Sequence, residues 1–338
     1  MSGSKGGSPP AAPVLAEARP DEALRGIGLM AAGFGIVTVS DAAVKWVLPE
    51  IGVAVTMILR GLLGAMTVLV LAGGFRVRPV NRRLLATRSL LHCAVTVTFY
   101  LAWYRGMPLA DSYAVAAMAP LAMTILAIPL LGESVGWRRW LSTLAGFCGV
   151  LVMVRPGGEL WRWEAALLGI GVVFMAVTRI WTRVLARTDR PATIAFWLMV
   201  AHIPTGLAIL PLFPPIGWPS WGGCIAILLL GLGNGAAHFL FARAFALAPV
   251  GLLAPFEYST LVTGTLVGVL IWGDVPAWTT ALGAMIVVGA GLYNLRRAQV
   301  RAREARLAEA ATPPEPGPAS TGPEKAIPSL SAASPVAR

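Results

Sequence analysis

Long apolar stretches dominate the chain, and short polar gaps set their spacing. A helix needs about 20 mostly apolar residues to cross a bilayer. Runs of that kind occur near residues 27–47, 51–73, 84–104, 111–131, 138–154, 163–184, 192–212, 221–242, 250–271 and 278–295. The pattern predicts ten transmembrane helices; the fifth run is the shortest, and a nine-helix chain is the alternative. Polar stretches flank the set. Residues 1–25 are rich in Gly, Ser and Pro and lack the apolar core and cleavage site of a signal peptide, so a mobile cytoplasmic tail is expected there. Residues 298–338 read as a basic segment followed by a second tail rich in Pro, Ser and Ala.

Composition agrees with the pattern. Of the 338 residues 57% are hydrophobic and only 13% charged, with a mean hydropathy of +0.72, where an ordinary soluble domain carries roughly 25% charged residues. Cys93, Cys148 and Cys224 lie inside apolar runs without disulfide or metal spacing and read as small hydrophobes. A net charge of +11 raises nucleic-acid binding as a function class. The basic residues fall in the gaps between apolar runs rather than on one soluble face, which excludes it.

Their distribution sets topology instead. With the N-terminus in the cytoplasm, the inner loops hold Arg76, Arg78, Arg82, Arg83 and Arg88, then Arg138 and Arg139, then Arg183, Arg187 and Arg190, then Arg243. The outer loops hold only Arg105, Arg155 and Arg162, two of them beside Glu159 and Glu164. This is the positive-inside bias of ten helices with both termini cytoplasmic, in an inner (plasma) membrane. After the last run, "RRAQVRAREARLAEA" reads as a basic surface helix on anionic lipid or as a solvated extension.

Two segments resemble each other. "LADSYAVAAMAPLAMTILAIPLLGESVGW", 109–137, and "LAPVGLLAPFEYSTLVTGTLVGVLIWGDVPAW", 247–278, each begin Leu-Ala and cross one apolar run. Each ends in Gly, an acid, three residues and Trp: Gly132, Glu133 and Trp137 against Gly273, Asp274 and Trp278. If the halves are repeats of five helices, an odd number makes the second half enter the membrane inverted. That plan occurs in secondary transporters, with the substrate site near the midplane between halves.

With these features in place, the chain resembles the drug/metabolite transporter superfamily, in its EamA-like branch. The resemblance is carried by "SDAAVKW", "MILRG" with Arg60, "APLAMTILAIPLLGE" and "LAPFEYSTLVTGTLVGVLIWGD", and runs over about residues 26–297. It implies an all-α polytopic membrane protein of ten transmembrane helices in two inverted five-helix repeats, 26–156 and 157–297. It also implies secondary transport of a small polar metabolite, such as an amino acid, nucleoside, vitamin or S-adenosylmethionine, with no cofactor. Besides that substrate and the lipid bilayer, the sequence is compatible with a homodimer.

Ionisable groups inside apolar runs are the candidate site, because a charge at the bilayer centre is costly unless it meets a partner or a wet cavity. Asp41 and Lys45, four residues apart, are expected on one helix face as a pair. Arg60 lies too deep in the second run to snorkel comfortably, with Asp41 as its expected partner and a structural ion pair as the simpler alternative. Glu257 follows Pro255 near the expected midplane of the ninth run. Proline loosens the helix there, which makes Glu257 a candidate proton carrier or cation contact. Tyr258 and Tyr100 are deep enough to stack on a planar substrate, whereas Tyr113, Trp103 and Tyr104 read as interfacial anchors.

Other features point to packing. His92, His202 and His238 stand on separate runs without a second spaced ligand, so no metal site is expected. Gly264 with Gly268, Gly61 with Gly64, and "GLGNGAAHF" read as small-residue packing faces. Glu133 and Asp274 read as helix-end anchors, and Pro120 and Pro129 as bends. No nucleophile with a base, paired catalytic acids or metal set supports a membrane enzyme, and no pore-loop signature supports a channel.

Overall fold

The computed structural model describes residues 20–131, 137–154, 163–248 and 250–311. All regular elements among them are helical: α1 Pro20–Ile51, α2 Val53–Ala72, α3 Arg82–Tyr104, α4 Leu109–Ala116, α5 Ala119–Leu131, α6 Trp137–Val154 and α7 Trp163–Leu185. There follow α8 Pro191–Ile209, α9 Trp221–Leu247, α10 Val250–Leu253, a 3-10 turn over Ala254–Tyr258, α11 Ser259–Trp272 and α12 Trp278–Ala311. Six of them (α1, α2, α3, α7, α8 and α9) are long and apolar enough to cross a membrane. The fourth, fifth, ninth and tenth predicted runs fall on shorter apolar helices. Large apolar side chains such as Met66, Val70, Leu228 and Leu232 are exposed on α2 and α9, the reverse of a soluble surface. This is a multi-pass membrane protein.

Local chemistry sets the helix ends. α1 and α2 are separated by Gly52 alone, whose φ of 84° suits a residue without a side chain. Gly73 closes α2 in the left-handed conformation, its N–H donating to Val70 O and the Gly74 N–H to Leu69 O. Asn81 caps α3 by accepting from Leu84 N, and Ser220 caps α9 by accepting from Gly223 N.

Proline breaks the fourth and ninth runs. α4 stops at Ala116 and α5 starts at Ala119, because Pro120 has no N–H for the Ala116 carbonyl. The 3-10 turn begins at Ala254 with Pro255 in its first turn. An Ala-Pro pair thus interrupts each of the two segments that resemble each other. Pro129, by contrast, lies within continuous α5.

α1 packs on α9, α2 on α8 and α9, α3 on α7 and α8, α5 on α7, and α11 on α1 and α4. Glycines bring the helices close. A Cβ on Gly61 would strike Met199 O and Ile203, and one on Gly206 would strike Ala54 O and Ile58. Gly264 lies against the Tyr113 ring, Gly235 against the Gly64 backbone, and Gly149 and Gly283 against each other. These close approaches are what small-residue faces permit between membrane helices.

Two carboxylates tie the turns. Glu50, at the end of α1, accepts from Ser220 N (2.8 Å) and Ser220 Oγ (2.9 Å) at the start of α9. Asp189, after α7, accepts from Val80 N (2.7 Å) and Asn81 N (3.2 Å) at the start of α3.

The chain divides into two compact units, Met1–Arg297 and Ala298–Arg338. In the second, the described residues are helix through Ala311. Gly132, Glu133, Arg155, Glu159, Arg162 and residues 1–19 and 312–338, all part of the sequence-based expectations, lie outside the described residues.

Candidate functional site

A cavity of about 100 Å³ lies among α1, α2, α3, α4, α7, α9, the 3-10 turn and the start of α11. Six aromatic rings line it (Phe34, Phe99, Tyr100, Trp103, Tyr113 and Phe241) together with Asp41, Arg60, Arg179, His92, His238 and Glu257. Charged groups from distant parts of the sequence therefore share one buried space.

Arg60 is 5% exposed. Its Nη1 donates to Tyr100 OH (3.1 Å) and its Nη2 lies 3.1 Å from His238 Nε2. A guanidinium only donates, so His238 accepts at Nε2 and is the neutral tautomer protonated on Nδ1. Arg60 Nε has no hydrogen-bond partner. A buried charge with unspent donor capacity, facing a cavity, is equipped to receive a carbonyl or anionic oxygen.

Asp41 accepts from Tyr113 OH at 2.9 Å. The expected pairs of Asp41 with Lys45 and with Arg60 do not form. Lys45 instead reaches Asp274 (Nζ to Oδ2, 2.8 Å), beyond the end of α11, and lies over the Trp272 ring at 4.6 Å. One face of α1 could serve both groups, but α11 packs on α1 and the chain just after it supplies Lys45 with a partner of its own.

Glu257 sits in the 3-10 turn and forms an ion pair with Arg179 of α7, Oε1 3.2 Å from Nε but not aligned for a hydrogen bond, so both atoms keep hydrogen-bonding capacity. The Arg179 guanidinium lies beside a pair of packed rings, 5.3 Å from Phe34 and 4.9 Å from Phe241, whose centroids are 4.8 Å apart. Cation–π contact of this kind holds a desolvated arginine in place. Tyr258 is buried, does not line the cavity, and its hydroxyl has no hydrogen-bond partner. The structure thus gathers Asp41, Arg60, Tyr100 and Glu257 and leaves Tyr258 outside.

Arg179 was readable in the sequence. It lies inside the sixth apolar run, where the rule that marks Arg60 marks it equally. Arg88, expected in a loop, is instead in α3 and 5% exposed, its Nε donating to Thr182 Oγ1 at 3.0 Å. The three histidines also converge: the His92 ring stands 4.9 Å from that of His238 and 6.4 Å from that of His202. Tyr113 and Trp103, read as interfacial anchors, line the cavity, Trp103 Nε1 donating to Ser112 Oγ.

A multi-pass helical bundle around a small polar and aromatic cavity defines a membrane transporter. Comparison with known proteins then supplies the family. Residues 162–295 match the EamA-like transporter family. A riboflavin transporter of Rhizobium johnstonii is 30% identical over 64% of this chain and 72% of its own length. A riboflavin transporter of Vibrio cholerae is 30% identical over 54% of this chain and 61% of its own. An S-adenosylmethionine uptake transporter of Rickettsia prowazekii is 26% identical over 56% and 65%. A solved structure titled "Crystal structure of protein" has the same fold, with a TM-score of 0.61 over 85% of this chain at 20% identity. The chain belongs to the EamA-like transporter family, and it is a small-metabolite transporter.

Proposed function

We propose that this protein carries a planar, neutral heteroaromatic metabolite of the riboflavin type by alternating access between two inverted five-helix repeats, 26–156 and 157–297, in the inner membrane with both termini cytoplasmic. The observation that carries the reading is the central cavity, where six aromatic rings surround a hydrogen-bonding edge made of Arg60, Asp41 and Glu257. Such walls stack a flat ring, each good aromatic contact adding about 0.5–1.5 kcal/mol. At about 100 Å³ the cavity is closed down below the roughly 300 Å³ a ligand site needs, and it widens to admit the substrate. Its carbonyl and imide edge needs donors and an acceptor, which Arg60 and a carboxylate supply.

Charge favours this class over a sulfonium cation. Arg60 and Arg179 line the cavity, and buried Arg88 lies within electrostatic reach of His92 and Arg179. These three cannot deprotonate, and only Asp41 and Glu257 oppose them. The cavity lining itself is balanced, two arginines against two carboxylates, so the preference for a neutral ligand comes from Arg88 acting from outside the lining.

The packing supports the repeat. α1 meets α9 as α7 meets α3, and α1 meets α11 as α7 meets α5. Met199 and Ile203 stand seven and three residues before Gly206, as Ala54 and Ile58 stand before Gly61, so the α2–α8 crossing reads the same from either helix. Glu50 holds the start of α9 as Asp189 holds the start of α3. In this reading the pair of Lys45 and Asp274 closes the outer end of the cavity, and its release opens that end.

Proteoliposomes test the proposal. Saturable riboflavin uptake, accelerated by riboflavin inside and unaffected by S-adenosylmethionine, is expected. Competition by S-adenosylmethionine at equal concentration, or appearance of a chemically altered product, contradicts it.

A further inference from the structure

A second cleft, of about 510 Å³, opens where α2 ends and α8 begins. Three arginines from separate elements line it: Arg76 in the α2–α3 connection, Arg190 before α8, and Arg243 in α9. None of its lining residues is acidic. The neighbouring carboxylate, Asp189, is already spent on Val80 N, Asn81 N and Thr188 Oγ1. Among the described residues Arg76, Arg190 and Arg243 have no ion-pair partner, and Arg243 lies over the Phe239 ring. Like charges around one cleft repel unless an anion joins them.

The surroundings identify that anion. Leu71 lines the cleft, and Val70, Leu71 and Phe75 beside it are 79%, 49% and 82% exposed. The cleft stands where the apolar surface of α2 stops, which is the level of lipid headgroups. Pro191 opens α8 there, so its first-turn amides also face the cleft end of the helix. A ligand matching both parts has a phosphate on an apolar tail. We infer that this cleft binds the phosphodiester headgroup of an anionic phospholipid, its acyl chains lying along α2.

Native mass spectrometry of the full-length protein, delipidated and then offered equal phosphatidylglycerol and phosphatidylcholine, tests the inference. Expected is preferential retention of phosphatidylglycerol. Each arginine near an anionic lipid contributes about 1 kcal/mol, so retention falls about fivefold with each of Arg76→Gln, Arg190→Gln and Arg243→Gln. Lysine at the same three positions restores most of it, and Arg82→Gln with Arg83→Gln, outside the cleft, changes little. Equal retention of the two lipids by the unaltered protein overturns the inference without need of any variant. So does retention unchanged in the three glutamine variants. Displacement of the lipid by 10 mM inorganic phosphate (a chosen assay concentration) assigns the cleft to a free anion and overturns the lipid as its occupant.

Discussion

Arg60 and Arg179 solve one electrostatic problem in different ways. Arg60 is held by a phenol and a neutral imidazole, and keeps one donor unused. Arg179 is held by a carboxylate and two aromatic rings. Loss of a partner therefore has different consequences. Glu257→Gln leaves Arg179 desolvated without a counter-charge, a defect of about 3–5 kcal/mol in comparable buried pairs. Thermal unfolding in detergent should show a large fall for Glu257→Gln and a smaller one for the double variant with Arg179→Met. A double variant less stable than the single one would mean the two groups do not act as a pair. Tyr100→Phe removes one acceptor from Arg60, at about 1 kcal/mol, and should weaken riboflavin binding about fivefold. Quenching of riboflavin fluorescence by the purified protein measures it. Arg60→Met should abolish the quenching, because the donor edge is gone.

At the scale of the helix, the expected small-residue faces became close packing at Gly61, Gly64, Gly235 and Gly264 but not at Gly268. Gly206, Gly149 and Gly283, which the sequence pattern did not single out, pack as closely. Gly61, Gly206, Gly149 and Gly283 stand where a Cβ would strike the backbone of the partner helix. Gly61→Leu or Gly206→Leu should prevent assembly, seen as loss of the monodisperse peak in size-exclusion chromatography. Gly28→Ala and Gly169→Ala, which meet open space, should leave the peak intact. A monodisperse Gly61→Leu protein would show that α2 and α8 do not depend on this approach. The sequence also marked where the fourth and ninth runs bend, since a missing N–H at Pro120 and Pro255 is a local fact. It did not reveal the partners of the charged groups. Asp41 and Lys45 share a helix face, so spacing alone pairs them, yet Tyr113 and Asp274 arrive from segments 72 and 229 residues away and take them apart. Arg88 escaped for the opposite reason: placed at the edge of an apolar run, it looks like a loop residue until Thr182 is brought beside it. The histidines stand on three separate helices and become neighbours only when α3, α8 and α9 pack.

For the molecule as a whole, alternating access as proposed above means that one cavity is reached from two faces in turn, with the pair of Lys45 and Asp274 guarding one of them. A single cysteine at Val37, which lines the cavity, reports on both faces when Cys93, Cys148 and Cys224 are replaced by alanine. A membrane-impermeant maleimide is applied to one side of reconstituted vesicles at a time, before and after a carbodiimide joins the Lys45 amine to the Asp274 carboxylate, with Lys45→Gln as the control that cannot be joined. Labelling from either side is expected before joining, and labelling from one side alone after it. Labelling from both sides after joining, or from neither, contradicts alternating access guarded by this pair.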